Sequence, residues 1–116
     1  MNNVILVGRL VSDPELEEFE TEKQKTMINL AVPRNFKNAD GMYEADFIRC
    51  ILWNGIAINT TKYCSKGDVV AVRGRIQTSS YEDDENIRKY KTEVIAQSIS
   101  FVAPHPKEKN KNEENK

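Results

Sequence analysis

The run Asp46-Phe47-Ile48-Arg49-Cys50-Ile51-Leu52-Trp53 constrains the chain more than any other. Read as a strand, it splits with a period of two. One face carries Ile48, Cys50 and Leu52, an ordinary packing stripe. The other carries Phe47, Arg49, Ile51 and Trp53, where flat rings are interleaved with a guanidinium. A strand of this kind turns one side to a core and leaves the other as a patterned outer surface.

The rest of the chain supplies partners for such a strand. Residues 4–11 read as a first strand broken by Gly8, and Ser12-Asp13-Pro14 is a turn signal. Residues 15–25 are polar and acidic and read as a twisted arm or loop. A second strand over 26–34 sets Ile28, Leu30 and Val32 against Met27, Asn29 and Ala31, with Pro33 unable to donate to a ladder. Residues 35–42 are a loop and 43–53 the third strand. Residues 55–64 are the one helix candidate, with Ile56, Thr60 and Tyr63 at helical spacing and Ser65-Lys66-Gly67 as the stop. A fourth strand over 68–78 puts Val70, Val72 and Ile76 on one face and Arg73, Arg75 and Gln77 on the other. Residues 79–88 read as a polar loop, and 89–101 as the fifth strand.

The order is three strands, a short helix, then two strands. This predicts an all-β protein: a five-stranded antiparallel Greek-key barrel of the oligonucleotide-binding (OB) type, with the helix between strands 3 and 4. Another small barrel remains compatible with the pattern. At 116 residues the chain is one domain, spanning 1–103, with a disordered polar tail over 104–116.

Several function classes are not supported. The sole histidine, His105, lies in the tail between prolines, with no Ser/His/Asp set, glycine-rich phosphate loop or metal-ligand spacing, so neither an enzyme nor a cofactor is expected. The apolar run Val4-Ile5-Leu6-Val7 is too short for a signal or a membrane span. Cys50 and Cys64 read as reduced thiols of a cytoplasmic protein, a disulfide between them being the other reading.

What the outer row of the third strand supports is contact with a nucleic-acid strand: a base stacks on a ring and a phosphate pairs with an arginine. The net charge of −1 argues the other way. Many of the acids, however, fall in two clusters, Asp13–Glu22 and Glu82–Glu85. If both are turned away from one face, that face can still be basic. The plainer alternatives are that Phe47 and Trp53 fill a core and that Arg73 and Arg75 are a solvated face.

The chain also resembles the bacterial single-stranded DNA-binding protein family over about residues 2–102. The resemblance runs in order through Asn3-Val4-Ile5-Leu6-Val7-Gly8-Arg9-Leu10 and Asp13-Pro14-Glu15-Leu16, then Leu30-Ala31-Val32 with Arg34 and Phe36. It continues through Asp46-Phe47-Ile48-Arg49-Cys50 with Trp53 and Ala57, then Tyr63, Lys66-Gly67-Asp68 and Gly74-Arg75-Ile76-Gln77-Thr78. It closes with Tyr81, Tyr90 and Thr92-Glu93-Val94. It implies an OB barrel, a homotetramer, and sequence-independent binding of single-stranded DNA in replication, recombination, repair or uptake. The stacking positions fall on Phe36, Phe47, Trp53 and Tyr81, and the phosphate contacts on Arg49 and Lys66. Arg34, Lys37, Arg73 and Arg75 join them by proximity in sequence.

The chain departs from the family in three places. The arm Glu17-Glu18-Phe19-Glu20-Thr21-Glu22-Lys23 is acidic, Ser79-Ser80 precede Tyr81 in place of basic residues, and no apolar residue follows Pro106. Tail-mediated recruitment of other proteins is therefore not expected. Two readings stay open beside DNA binding: an OB module of the primosome type that contacts proteins, and binding of RNA.

Overall fold

A computed structural model describes residues 1–106, in the order β1 (Val4–Leu10), β2 (Glu17–Glu18), β3 (Gln24–Lys37), β4 (Tyr43–Trp53), α1 (Asn54–Tyr63), β5 (Val69–Glu82) and β6 (Arg88–Ala103). Strand β1 has neighbours on both edges, and this double pairing closes the sheet. It runs antiparallel to β5 from Val4↔Gly74 to Arg9↔Val69, and meets β3 at Arg9↔Ala31 and Leu10↔Leu30. The sheet order β1-β5-β6-β4-β3-β2 then makes a five-stranded barrel with β2 as a short arm on β3. This is the OB arrangement, with the helix between the third and fourth barrel strands.

The core follows the alternation of the strands. Leu10, Ile28, Leu30, Cys50, Leu52, Val70, Val72, Val94 and Ala96 point inward, and Ala57 of α1 closes one end. Thr26 is also buried, its hydroxyl donating to the Glu15 carbonyl at 2.7 Å, which ties the chain before β2 to the barrel. Burial pushes the Cys50 thiol up to about 11. Both cysteines are free thiols.

Bulges bend β6 around the barrel. The β5–β6 register shifts between Val69 and Val70 and again between Arg73 and Gly74. At the second shift the backbones approach so closely that a Cβ on Gly74 would collide with the Ile95 carbonyl oxygen.

Three expectations differ from the structure. Residues 79–88 are largely strand: pairing of β5 with β6 runs out to Glu82↔Arg88. The turn beyond is built by Asp83, whose Oδ1 accepts from the Glu85 and Ile87 amides, both at 2.9 Å, while Asn86 takes φ 62°. Polar residues suit a ribbon wetted on both faces, so polarity alone did not mark a loop. Ile76 is exposed as well, because the β1 pairing of β5 ends at Val4↔Gly74, short of it. Finally, the helix buries Ala57 and Thr60 and packs Ile56 on the core, while Tyr63 is exposed with the Lys62 ammonium 5.4 Å from its ring centre.

Pro104 and His105 fold back onto the turn before β5. The His105 amide donates to Asp68 Oδ1 at 3.0 Å, and its ring lies against Gly67, a residue at φ 90°. The expected tail beyond Pro106 lies outside the described residues.

Candidate nucleic-acid interface

The alternation of β4 survives folding. Ile48, Cys50 and Leu52 face the core, and Phe47, Arg49, Ile51 and Trp53 form an outward row. Phe47 is 71% exposed and Trp53 38% exposed, so neither is core. At roughly 3.4 Å per residue the row places the two rings about 20 Å apart, with Arg49 between them. Ile51 is buried within the row, flanked by Met27 of β3 and Ile95 of β6.

Register builds the row into a surface. Across β3 the partners are Ala31 for Phe47, Asn29 for Arg49, Met27 for Ile51 and Lys25 for Trp53. Across β6 they are Ile95 for Ile51, then Arg75 of β5 for Ile95. Arg75 therefore shares the face of the β4 row. Arg73 points outward too, but its neighbours are Ile5 of β1 and Ser98 of β6, so it lies toward the β1 side of the barrel.

The other two rings ride on hairpins. Phe36 is 66% exposed where the β3–β4 register breaks between Pro33 and Lys37. The turn beyond is closed by Asn38, whose Oδ1 accepts from the Asp40 and Met42 amides, both at 3.0 Å. Tyr81 is 52% exposed on the β5–β6 ribbon, opposite Lys89 and six residues out from Arg75 on the same face. That is about 20 Å from Arg75.

The cations are not equivalent. Arg34 is held by two carboxylates: Nη1 bonds Glu44 Oε2 at 2.9 Å, and Nη2 and Nε bond Asp46 Oδ1 at 2.8 and 3.1 Å. The hydrogen bond from Arg34 holds the Asp46 carboxyl below the ordinary aspartate range, and Asp46 in turn raises Arg34. Lys37 lies 5.6 Å from the ring centre of Tyr43. Lys66 is exposed on the turn after α1; its amide donates to Asp13 Oδ1 at 2.7 Å, and it shares a hollow with Glu15, Glu17 and Met27.

Two residues of this surface were not in the expected set. Lys25 places its ammonium 5.5 Å from the Trp53 ring centre. Its parity with Met27, Asn29 and Ala31 was a usable signal. Phe19, on the acidic arm, brings its ring centre to 6.2 Å from that of Trp53. The arm therefore does not point away: Glu17 pairs with Lys25, directly beside the Trp53 position. The condition that both acidic clusters clear the ring-bearing face fails for the first cluster.

A closed OB barrel with uncovered rings and cations on its outer wall defines a class of oligonucleotide-binding proteins, and comparison with known proteins narrows it. The model of the single-strand binding protein family matches residues 1–102. The chain is 49% identical over 108 residues to single-stranded DNA-binding protein B of Bacillus subtilis, covering 93% of this chain and 96% of that one. It is 45% identical over 102 residues to single-stranded DNA-binding protein 1 of Streptococcus pyogenes, covering 88% and 78%. Against single-stranded DNA-binding protein 1 of Staphylococcus aureus the identity is 49% over 104 residues, covering 90% and 67%. The chain belongs to the single-strand binding protein family, a family of binding proteins and not of enzymes.

Among the described residues no group of three or more His, Cys, Asp or Glu side chains could hold a metal ion, and no helix is long and apolar enough to cross a membrane.

Proposed function

We propose that this protein binds and shields single-stranded DNA in the cytoplasm without regard to sequence, serving replication, recombination, repair or uptake of DNA. The observation that carries the reading is the outward row Phe47–Arg49–Trp53 on the wall of a barrel that belongs to this family. Bases stack on Phe36, Phe47, Trp53 and Tyr81, each contributing about 1–3 kcal/mol. Arg49, Lys66 and Arg75 take phosphates, with Lys37 and Arg73 at the margins. Arg34 contributes only where phosphate displaces its carboxylates. Rings accept any base, so the binding is sequence-tolerant, and phosphate pairing makes it salt-dependent.

The chain works as a homo-oligomer, a tetramer as the family resemblance implies. Exposed Ile5 and Val7 on β1, a strand that meets β3 only at its last two residues, support a subunit contact there. Light scattering should give four times the 13.3 kDa chain mass.

The test of the main reading is a titration with poly-dT at two salt concentrations, read by fluorescence. Trp53 is the only tryptophan, so stacking quenches the whole signal. The expected result is saturable quenching, with log K falling by about 0.7 per phosphate for each unit of log salt. Absence of quenching and of binding at low salt would overturn it. Unchanged poly-dT affinity in Trp53→Ala would favour the protein-interaction module instead.

A further inference from the structure

Phe19 stands outside the four ring positions above, yet it meets one of them. Its ring centre is 6.2 Å from that of Trp53, with the planes inclined at 35°. The pair is an open wedge: carbon atoms in stacked contact lie about 3.5–4 Å apart, and a flat base between two rings needs about twice that, roughly 7–8 Å. The wedge is therefore an ångström or two (~1–2 Å) short of a sandwich. Both rings line a shallow pocket, together with Glu20, Thr21 and Lys23.

The arm is built to give that distance while staying in place. Its root is fixed, because the Gln24 amide donates to Asn54 Oδ1 at 3.2 Å, on the residue next to Trp53. Its tip is light: β2 is two residues long, and the turn is closed by Phe19 N–H to the Lys23 carbonyl at 2.9 Å and Glu22 N–H to the Phe19 carbonyl at 3.0 Å.

Charge selects which part of a strand enters. Glu17, Glu18, Glu20 and Glu22 outnumber Lys23 on this hairpin, and carboxylates repel a phosphate. A neutral base meets no such repulsion. Lys25, which lies between Glu17 and Trp53 in the register and 5.5 Å from the Trp53 ring centre, supplies a cation. The pocket is continuous with the outward row through Trp53 itself.

We propose that Phe19 and Trp53 clip one nucleobase of single-stranded DNA, while the acidic arm turns the adjoining phosphates toward Lys25 and Arg49. This rests on the reading of the outer wall as a single-stranded DNA surface and adds a fifth ring to it.

The test uses the full chain and two labelled strands of equal length, oligo-dT and one carrying abasic sites throughout, followed by anisotropy at fixed salt. Phe19→Ala should weaken oligo-dT binding about fivefold or more, the low end of what stacking one base contributes. Phe19→Tyr should keep wild-type affinity. The abasic strand should bind wild type and Phe19→Ala alike. Equal oligo-dT affinity in Phe19→Ala overturns the clip, and so does tighter binding, which would make Phe19 a cover for Trp53. Equal losses on both strands also overturn it, because they would mark a structural effect. In each of these cases wild type still binds oligo-dT, and the main reading stands. If wild type does not bind oligo-dT, both fall.

Discussion

The two ends of the outward row on β4 differ in what surrounds the ring. Phe47 is 71% exposed and lies across from Ala31, a side chain too small to cover it. Trp53 is 38% exposed and already has Lys25 and Phe19 against it. At the first end a base, on the function proposed above, would cover fresh apolar area and displace nothing. At the second it would have to insert among groups that are already in place. One strand thus offers an open platform and a furnished one about 20 Å apart, and the difference comes from β3 and the arm, not from β4.

The largest expected effect tests whether both ends act. Phe47→Ala with Trp53→Ala should weaken poly-dT binding by about 2–6 kcal/mol, two platforms at ~1–3 each. Anisotropy of a labelled strand measures this, since the tryptophan signal is gone, and circular dichroism checks the fold. The distance between the rings makes the two losses additive within about 0.5 kcal/mol. Phe19→Ala should add in the same way to Phe47→Ala but fall short of additivity with Trp53→Ala. Full additivity in both pairs would erase the contrast between the two ends.

The inward side of the same wall gives the next effect, on stability and not on binding. Leu30 is fully buried opposite Ile48, so Leu30→Ala should cost about 2–5 kcal/mol in urea denaturation. Phe47→Ala, one register pair away but outward, should shift stability by no more than about 0.5 kcal/mol. A large stability loss from Phe47→Ala would mean that its ring is structural in the assembled protein.

A smaller effect separates the cations. Across β3 the partner of Arg49 is the uncharged Asn29, whereas Arg34 is bonded to two carboxylates. Arg49→Gln should therefore lower the salt slope of poly-dT binding by about 0.7, the value of one phosphate on a single strand. An unchanged slope would remove Arg49 from the phosphate path.

Much of this was legible in the sequence because strand parity is local. Ile28, Leu30, Cys50, Leu52, Val70 and Val72 follow from alternation alone, and β4 matches its expected bounds. The outward positions of Phe47 and Trp53 came from the same rule. What was not legible depends on where a strand leaves the barrel. Ile76 keeps the parity of Val72 but lies past the last β1 pair, Val4↔Gly74, so it is wet. The ribbon itself, residues 79–88, was hidden because its pairing needs a partner strand and not an apolar stripe. Charge pairing was hidden as well. Arg34 looks free in the sequence, and only the β3–β4 register brings Asp46 and Glu44 to it.

That last contact makes the smallest prediction and the most selective one. Hydrogen bonding to Arg34 lowers the Asp46 pKa in the folded protein. A depressed carboxyl favours the folded pairing above its unfolded value, and the contribution is lost as pH falls through the folded value. Asp46 therefore stays ionised and paired throughout pH 5–8, and Arg34 remains engaged. Arg34→Gln should then leave the salt slope unchanged in that window, in contrast to Arg49→Gln. The double variant Glu44→Gln with Asp46→Asn releases the guanidinium and should steepen the slope by up to about 0.7. A drop in slope from Arg34→Gln alone would mean that DNA pulls this arginine off its carboxylates, making the Phe47 end as furnished as the Trp53 end.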